Sequence, residues 1–203
     1  MRFPEFFTDV RRIEVRDPLA AFLGASEGGV IAYGYEDAVK LAGHSCPTVA
    51  SAYMVCVHAL QALYPDQLPE RGGVRVAFRG RVDEGVTGVI ASVVTLLTGA
   101  AHDGGFKGLG GRFVRRGLLD FAAELPLAMR FTRLDTGAAV DAQTDLSSVP
   151  ADPEMPELLG RCLHAPGDSE LAARFGRLWQ DRVRRILLEH CDDPAVFSIR
   201  PVA

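Results

Sequence analysis

Residues 35–64 read YEDAVKLAGHSCPTVASAYMVCVHALQALY. The first eight, 35–42, have helical character, and Gly43 suits the left-handed residue that closes a helix. His44, Ser45 and Cys46 follow. Pro47 fits the first turn of a second helix, where its missing N–H is not needed. That second helix is apolar nearly all round, which is the mark of a helix buried on every side. Cys46 is then its N-cap.

Working outward, VRVAFRGRV (74–82) alternates with period two. Val74, Val76, Phe78 and Val82 fall on one face and Arg75, Arg79 and Arg81 on the other, as in a half-buried strand. EGVTGVIASVVTLLTGAA (84–101) has the length of a buried helix, while its β-branched residues leave a strand open. HDGGFKGLGG (102–111) is a glycine-rich connection. Residues 112–125, 127–134 and 138–146 read as strands, the last two joined at Asp135-Thr136-Gly137. SSVPADPEMP (147–156) has the composition of a linker. A long helix is expected over Ser169–His190 with Ser169 as N-cap, and DPAVFSIRPV (193–202) as a closing strand. Helix–strand–helix followed by consecutive antiparallel strands gives an α+β class, with a mixed or antiparallel sheet packed with helices. The organisation expected is one domain, a core of about residues 20–147 with a helical extension over about 150–203.

Composition narrows the function classes. The formal net charge of −4 argues against nucleic acid or an anionic membrane as partner. No stretch approaches the ~20 apolar residues of a membrane span. MRFPEFFTDVRRIEVRD at the start has scattered charges and no apolar run, so no secretory signal is expected. The four cysteines, Cys46, Cys56, Cys162 and Cys191, form no CxxC pair, which suits free thiols and a cytoplasmic protein.

The chemistry is expected at the His-Ser-Cys step. A cysteine at a helix N-terminus faces free amides and the positive end of the dipole, both of which favour thiolate. His44, two residues before it, would point the same way in an extended step, and imidazole with thiolate is a donor pair for a zinc-type ion. Cys56 and His58 lie too far along the same helix to share that ion, roughly 15 Å for ten residues, and read as core residues. A third ligand must come from elsewhere. His102 is the candidate, with Asp103 beside it to ligate or orient; His102 would otherwise cap the preceding helix end as a cation. Cys162 and His164 repeat the spacing in the tail, and His190 suits a helix C-terminus. GGFKGLGG lacks a phosphate-loop pattern, although Lys107 could meet an anion. No G-x-S-x-G elbow is present.

GHSCPTVASAYMV (43–55) followed by LLTGAAHDGGFKG (96–108), together with the ending DPAVFSIRPV, resembles the FmdE-like family, which takes its name from a component of formylmethanofuran dehydrogenase. The resemblance implies an α+β fold with a mixed sheet, a homodimer, and a metal near the His-x-Cys step with His44 and Cys46 as ligands. The family's further cysteines are missing: Ala100 follows Thr98-Gly99, and His102 would substitute. Its C-terminal zinc ribbon is missing too. The expectation is therefore a metal-binding protein, an accessory of an oxidoreductase or an enzyme in its own right. His44, Cys46 and His102 would hold Zn²⁺, or another transition metal such as nickel or iron, and leave one position for a small-molecule ligand. Two alternatives stand beside it. One is a metal-free enzyme with Cys46 as nucleophile and His44 or His102 as base. The other is a non-catalytic dimeric regulatory or scaffold protein in which the step merely caps a helix.

Overall fold

The computed structural model describes residues 3–202. After a 3-10 turn over Glu5–Asp9 comes an antiparallel pair, β1 (Ile13–Arg16) and β2 (Val30–Tyr33), in the register Ile13↔Tyr33 to Arg16↔Val30. The short helix α1 (Pro18–Phe22) lies between them. Asp17 caps it by accepting from the amides of Leu19 and Ala20, and Pro18 takes the first position. The sequence reading missed this hairpin. Its strands are four residues long and β2, half exposed, has no strict alternation to betray it.

Helices α2 (Tyr35–Ala42) and α3 (Pro47–Leu63) form as expected. Gly43 has φ 76°, and Cys46 is extended at φ −149° as the N-cap. Every residue from Val49 to Val57 is buried, so α3 is the axis of the molecule. Each Leu or Met side chain removed from water there contributes about 1.5–3 kcal/mol. Tyr53 on this helix donates to the Arg11 carbonyl at 2.8 Å, tying α3 to the approach of β1.

The main sheet is mixed. It contains β3 (Val74–Phe78), β4 (Leu119–Asp120), β5 (Met129–Arg133), β6 (Ala139–Thr144) and β7 (Phe197–Pro201), in the order β4-β3-β5-β6-β7. Only β3–β4 is parallel. Helix α3 packs on β5, β6 and β7, and α4 (Thr87–Thr98) packs on α2 and α3. The α+β class is thus as read. Helices α5 (Met155–His164) and α6 (Ser169–Arg184) pack on each other, and α6 continues into one π-type turn, Arg185–Glu189, that lies on α3.

Four local expectations are corrected. The strand read over 74–82 stops at Phe78; the chain bends at Gly80, and Val82 is 55% exposed rather than inward. The strand read over 112–125 shrinks to two residues. Phe113 (φ 61°) and Ala122 (φ 57°) break the extended run, and the chain pairs with itself instead: Arg115 N–H donates to Phe106 O and Ala101 N–H to Arg115 O, both at 2.9 Å. The last long helix is capped by Asp168, whose carboxylate accepts from Leu171 N–H at 2.9 Å, not by Ser169. The helix over 84–101 is buried on its inner side alone, through Ala91, Val94 and Leu97, while Val86 and Val89 face solvent.

Candidate functional site

The chain leaves α2 through the left-handed Gly43, and that turn folds His44 back. Its Nδ1 lies 3.0 Å from the carbonyl of Ala42, and the ring is exposed. Cys46 goes the other way. It is buried, and its Sγ accepts the amide of Val49 at 3.4 Å, so the sulfur serves as the cap of α3. Ser45 between them is stitched to the C-terminal helix. Its hydroxyl sits 2.9 Å from the Tyr35 hydroxyl and donates to Gln180 Oε1 at 2.9 Å. Its carbonyl accepts from Trp179 Nε1 at 2.9 Å and Gln180 Nε2 at 3.2 Å. Burial, more than the bond to Ser45 can offset, pushes the Tyr35 phenol well above its usual range, so it stays a neutral partner.

This arrangement overturns the metal-binding expectation. Among the described residues no group of three or more His, Cys, Asp and Glu side chains could hold a metal ion. The extended step does not present His44 and Cys46 together: one ring is turned to solvent and a helix end, the other residue's sulfur is enclosed under α3. His102 sits on the turn after α4, exposed, with Nδ1 3.6 Å from its neighbour Asp103 and its ring 5.6 Å from that of Phe121. The donor set required for zinc, nickel or iron is therefore not assembled among the described residues.

Of the other thiols, Cys162 on α5 is partly exposed, while Cys56 and Cys191 are held by their surroundings. Cys56 is fully enclosed in α3, and burial drives its thiol far above the ordinary value. His58 is tied to the C-terminal segment, with Nε2 2.5 Å from the Cys191 carbonyl. Burial first, then the charge of Asp192, holds the Cys191 thiol up. His164 caps its own helix through the Gly160 carbonyl, and His190 pairs with Asp193.

His102 does lie on a cleft. About 420 Å³ opens between α4 and the turn that follows it. Val82, Ala91, Leu119 and Phe121 give it apolar walls, and Ser92, Thr95 and His102 place three polar groups on it. No charged residue occurs from Gly85 to Ala101, so the α4 wall is neutral throughout. The Ser92 hydroxyl donates back to Gly88 O at 2.9 Å. An apolar cleft with a few convergent polar groups is the form that small-molecule sites take.

One charged cluster escaped the sequence reading. Asp17, 4% exposed, accepts from Arg71 Nη1 at 2.9 Å and from Arg115 Nη2 at 2.7 Å. Arg71 also reaches the last turn of α4, donating from Nε to Leu96 O at 3.1 Å. Burial pushes the Asp17 carboxyl up, but bonds from Arg71 and the Ala20 amide and the charges of Arg115 and Arg71 outweigh it, so it is held below its ordinary value. The one trace in the sequence is Asp17-Pro18, a helix-start signal that leaves the Asp free to do a second job.

A comparison with protein-family models returns no match, and a comparison with curated proteins returns none, so the resemblance to the FmdE-like family rests on the segments quoted for it.

Proposed function

We propose that the protein is a binding module for a small, largely apolar molecule, seated in the cleft between α4 and the His102 turn. The observation that carries this reading is the cleft itself: neutral apolar walls, with two hydroxyl groups and one imidazole to fix orientation. The His-Ser-Cys step is then a structural joint, since its thiol caps a helix and its serine anchors α6. The probe for a test is 1-aminoanthracene, whose fluorescence reports apolar surroundings. Saturable uptake is expected with an affinity on the order of 10⁻⁴ M, from about 0.3 kcal/mol per ligand heavy atom. Ser92→Phe, an exposed change on the α4 wall, would fill the cleft and weaken uptake by about 10-fold or more. Uptake that does not saturate, or that Ser92→Phe leaves unchanged, refutes the reading.

A second copy of the chain is a further occupant of the same helix. Val82, Val86 and Val89 are 55%, 50% and 37% exposed along a segment whose α4 portion carries no charge. A helix this apolar ordinarily meets a partner on each side, which supports the homodimer that the resemblance implies.

A further inference from the structure

The Asp17 cluster is unbalanced. Two guanidinium groups, those of Arg71 and Arg115, share one buried carboxylate, which leaves one excess positive charge. The carbonyl end of α4, counted as roughly half a negative charge, offsets part of it. Glu70, the other nearby carboxylate, bonds Arg16 at 2.7 Å and offsets a further part through its charge on Arg115. Arg115 is 7% exposed, and its Nη1 has no hydrogen-bond partner. That nitrogen fits only because two glycines face it. A Cβ added at Gly72 (φ 85°) would lie 1.9 Å from it, and one at Gly99 (φ 71°) 2.6 Å. An incompletely compensated cation in such a place is costly unless something else answers it.

A cleft of about 370 Å³ opens over this cluster, with Glu70, Arg71, Gly72 and Arg115 on one side and Arg112 and Phe113 on the other; the Glu70 carboxylate on its wall is the one paired with Arg16. It shares no lining residue with the His102 cleft. Arg112 has no carboxylate partner among the described residues and lies over the Phe113 ring, 4.9 Å from its centre. Phe113 holds φ at 61°, a left-handed conformation that a bulky residue adopts only when its surroundings impose it. Its ring meets that of Phe22 at 5.3 Å, and Phe22 is 62% exposed. The unpaired Arg112 and the partly compensated Arg71–Arg115 pair therefore lie beside a half-buried Phe113 and an exposed Phe22.

We infer that this cleft binds a small molecule with an anionic group, a carboxylate or a phosphate, joined to an apolar body. The anion lies against Arg112 in the field of the Arg71–Arg115 pair, and the body rests on Phe113 and Phe22. Arg112 supplies the direct, charge-assisted contact. Arg115 acts as a buried positive floor, a role that does not require its enclosed Nη1 to touch the ligand.

The test is an amide and arginine-Nε NMR titration of the full chain with two probes, inorganic phosphate and benzoate, at low salt. Saturable shifts are expected at Gly72, Gly111, Arg112 and Arg115, with added shifts at Phe113 for benzoate. Arg112→Gln, an exposed change that leaves the buried cluster intact, should weaken binding by about 3- to 10-fold, the worth of one partly exposed charged hydrogen bond. Tighter binding of benzoate assigns an aromatic carboxylate, and tighter binding of phosphate assigns a phosphorylated ligand. Absence of saturable shifts at these residues with both probes, or equal affinity in Arg112→Gln, overturns the inference.

Discussion

Replacing Asp17 by Asn isolates the charge that holds together the N-terminal hairpin, the approach to β3, the end of α4 and the turn before β4. Asn is as good an N-cap as Asp, so α1 keeps its start, and the amide oxygen can still accept from Leu19 and Ala20. What disappears is the anion between Arg71 and Arg115, at 2.9 and 2.7 Å in a site 4% exposed. Removing one partner of a buried ion pair costs about 3–5 kcal/mol, because the remaining charge is left uncompensated. For a chain of this size each kcal/mol moves the melting temperature by about 2–4 °C, so a drop of about 6–20 °C is expected. The pH dependence carries a sign. The carboxyl titrates lower in the folded protein than unfolded, so its contribution is complete above the unfolded value of about 3.9 and is lost as pH falls through the folded value. The gap between wild type and Asp17→Asn should therefore be constant from pH 7 to about 4 and close below that. Urea unfolding followed by circular dichroism across this range measures it. A gap under about 1 kcal/mol at pH 7, or one that persists unchanged at pH 2, would refute the account of the cluster.

Two more outcomes follow from the C-terminal latch and from α4. Alkylation of the native protein by iodoacetamide, read by mass spectrometry, should label Cys162 first and Cys56 only on unfolding. Trp179→Phe, which removes one bond to the Ser45 carbonyl and about 1 kcal/mol, should speed labelling of Cys46; equal labelling of Cys46 and Cys162 in the wild type would contradict the burial described. If a second copy covers α4, the wild type sediments as a dimer at micromolar concentration and Val86→Asp weakens that dimer by about 10-fold or more. A monomeric wild type, or a variant indistinguishable from it, removes that occupant.

The elements that the sequence displays most plainly are those whose local chemistry and burial agree. Gly43 and Pro47 bracket the α2–α3 joint, and α3 has no polar face to misplace. The β5–β6 hairpin follows from alternation and Gly137. What stayed hidden depends on contacts distant in sequence. Nothing near Arg115 announces that it will meet Asp17, 98 residues away. Nothing near His44 says that Trp179 and Gln180 will occupy the carbonyl beside it. The metal expectation failed for a related reason. It extrapolated side-chain directions from an extended step, whereas Cys46 turned its sulfur to its own helix and His44 turned its ring to the end of the previous one. The short β4 was obscured because glycines and two left-handed non-glycine residues make the 102–123 segment fold on itself.

The order of the main sheet also bears on biosynthesis. Its strand β6 has β5 on one side and β7 on the other, and β7 is Phe197–Pro201. While the chain is being made, β6 leaves the ribosome with one row of backbone donors and acceptors unmatched, and it keeps that open edge until residues 145–201 have emerged. Helix α6, which seals the Ser45 carbonyl, arrives in the same interval. The nascent protein thus carries its adhesive sheet edge and its unsealed joint together; α6 closes the joint and β7, emerging after it, covers the edge.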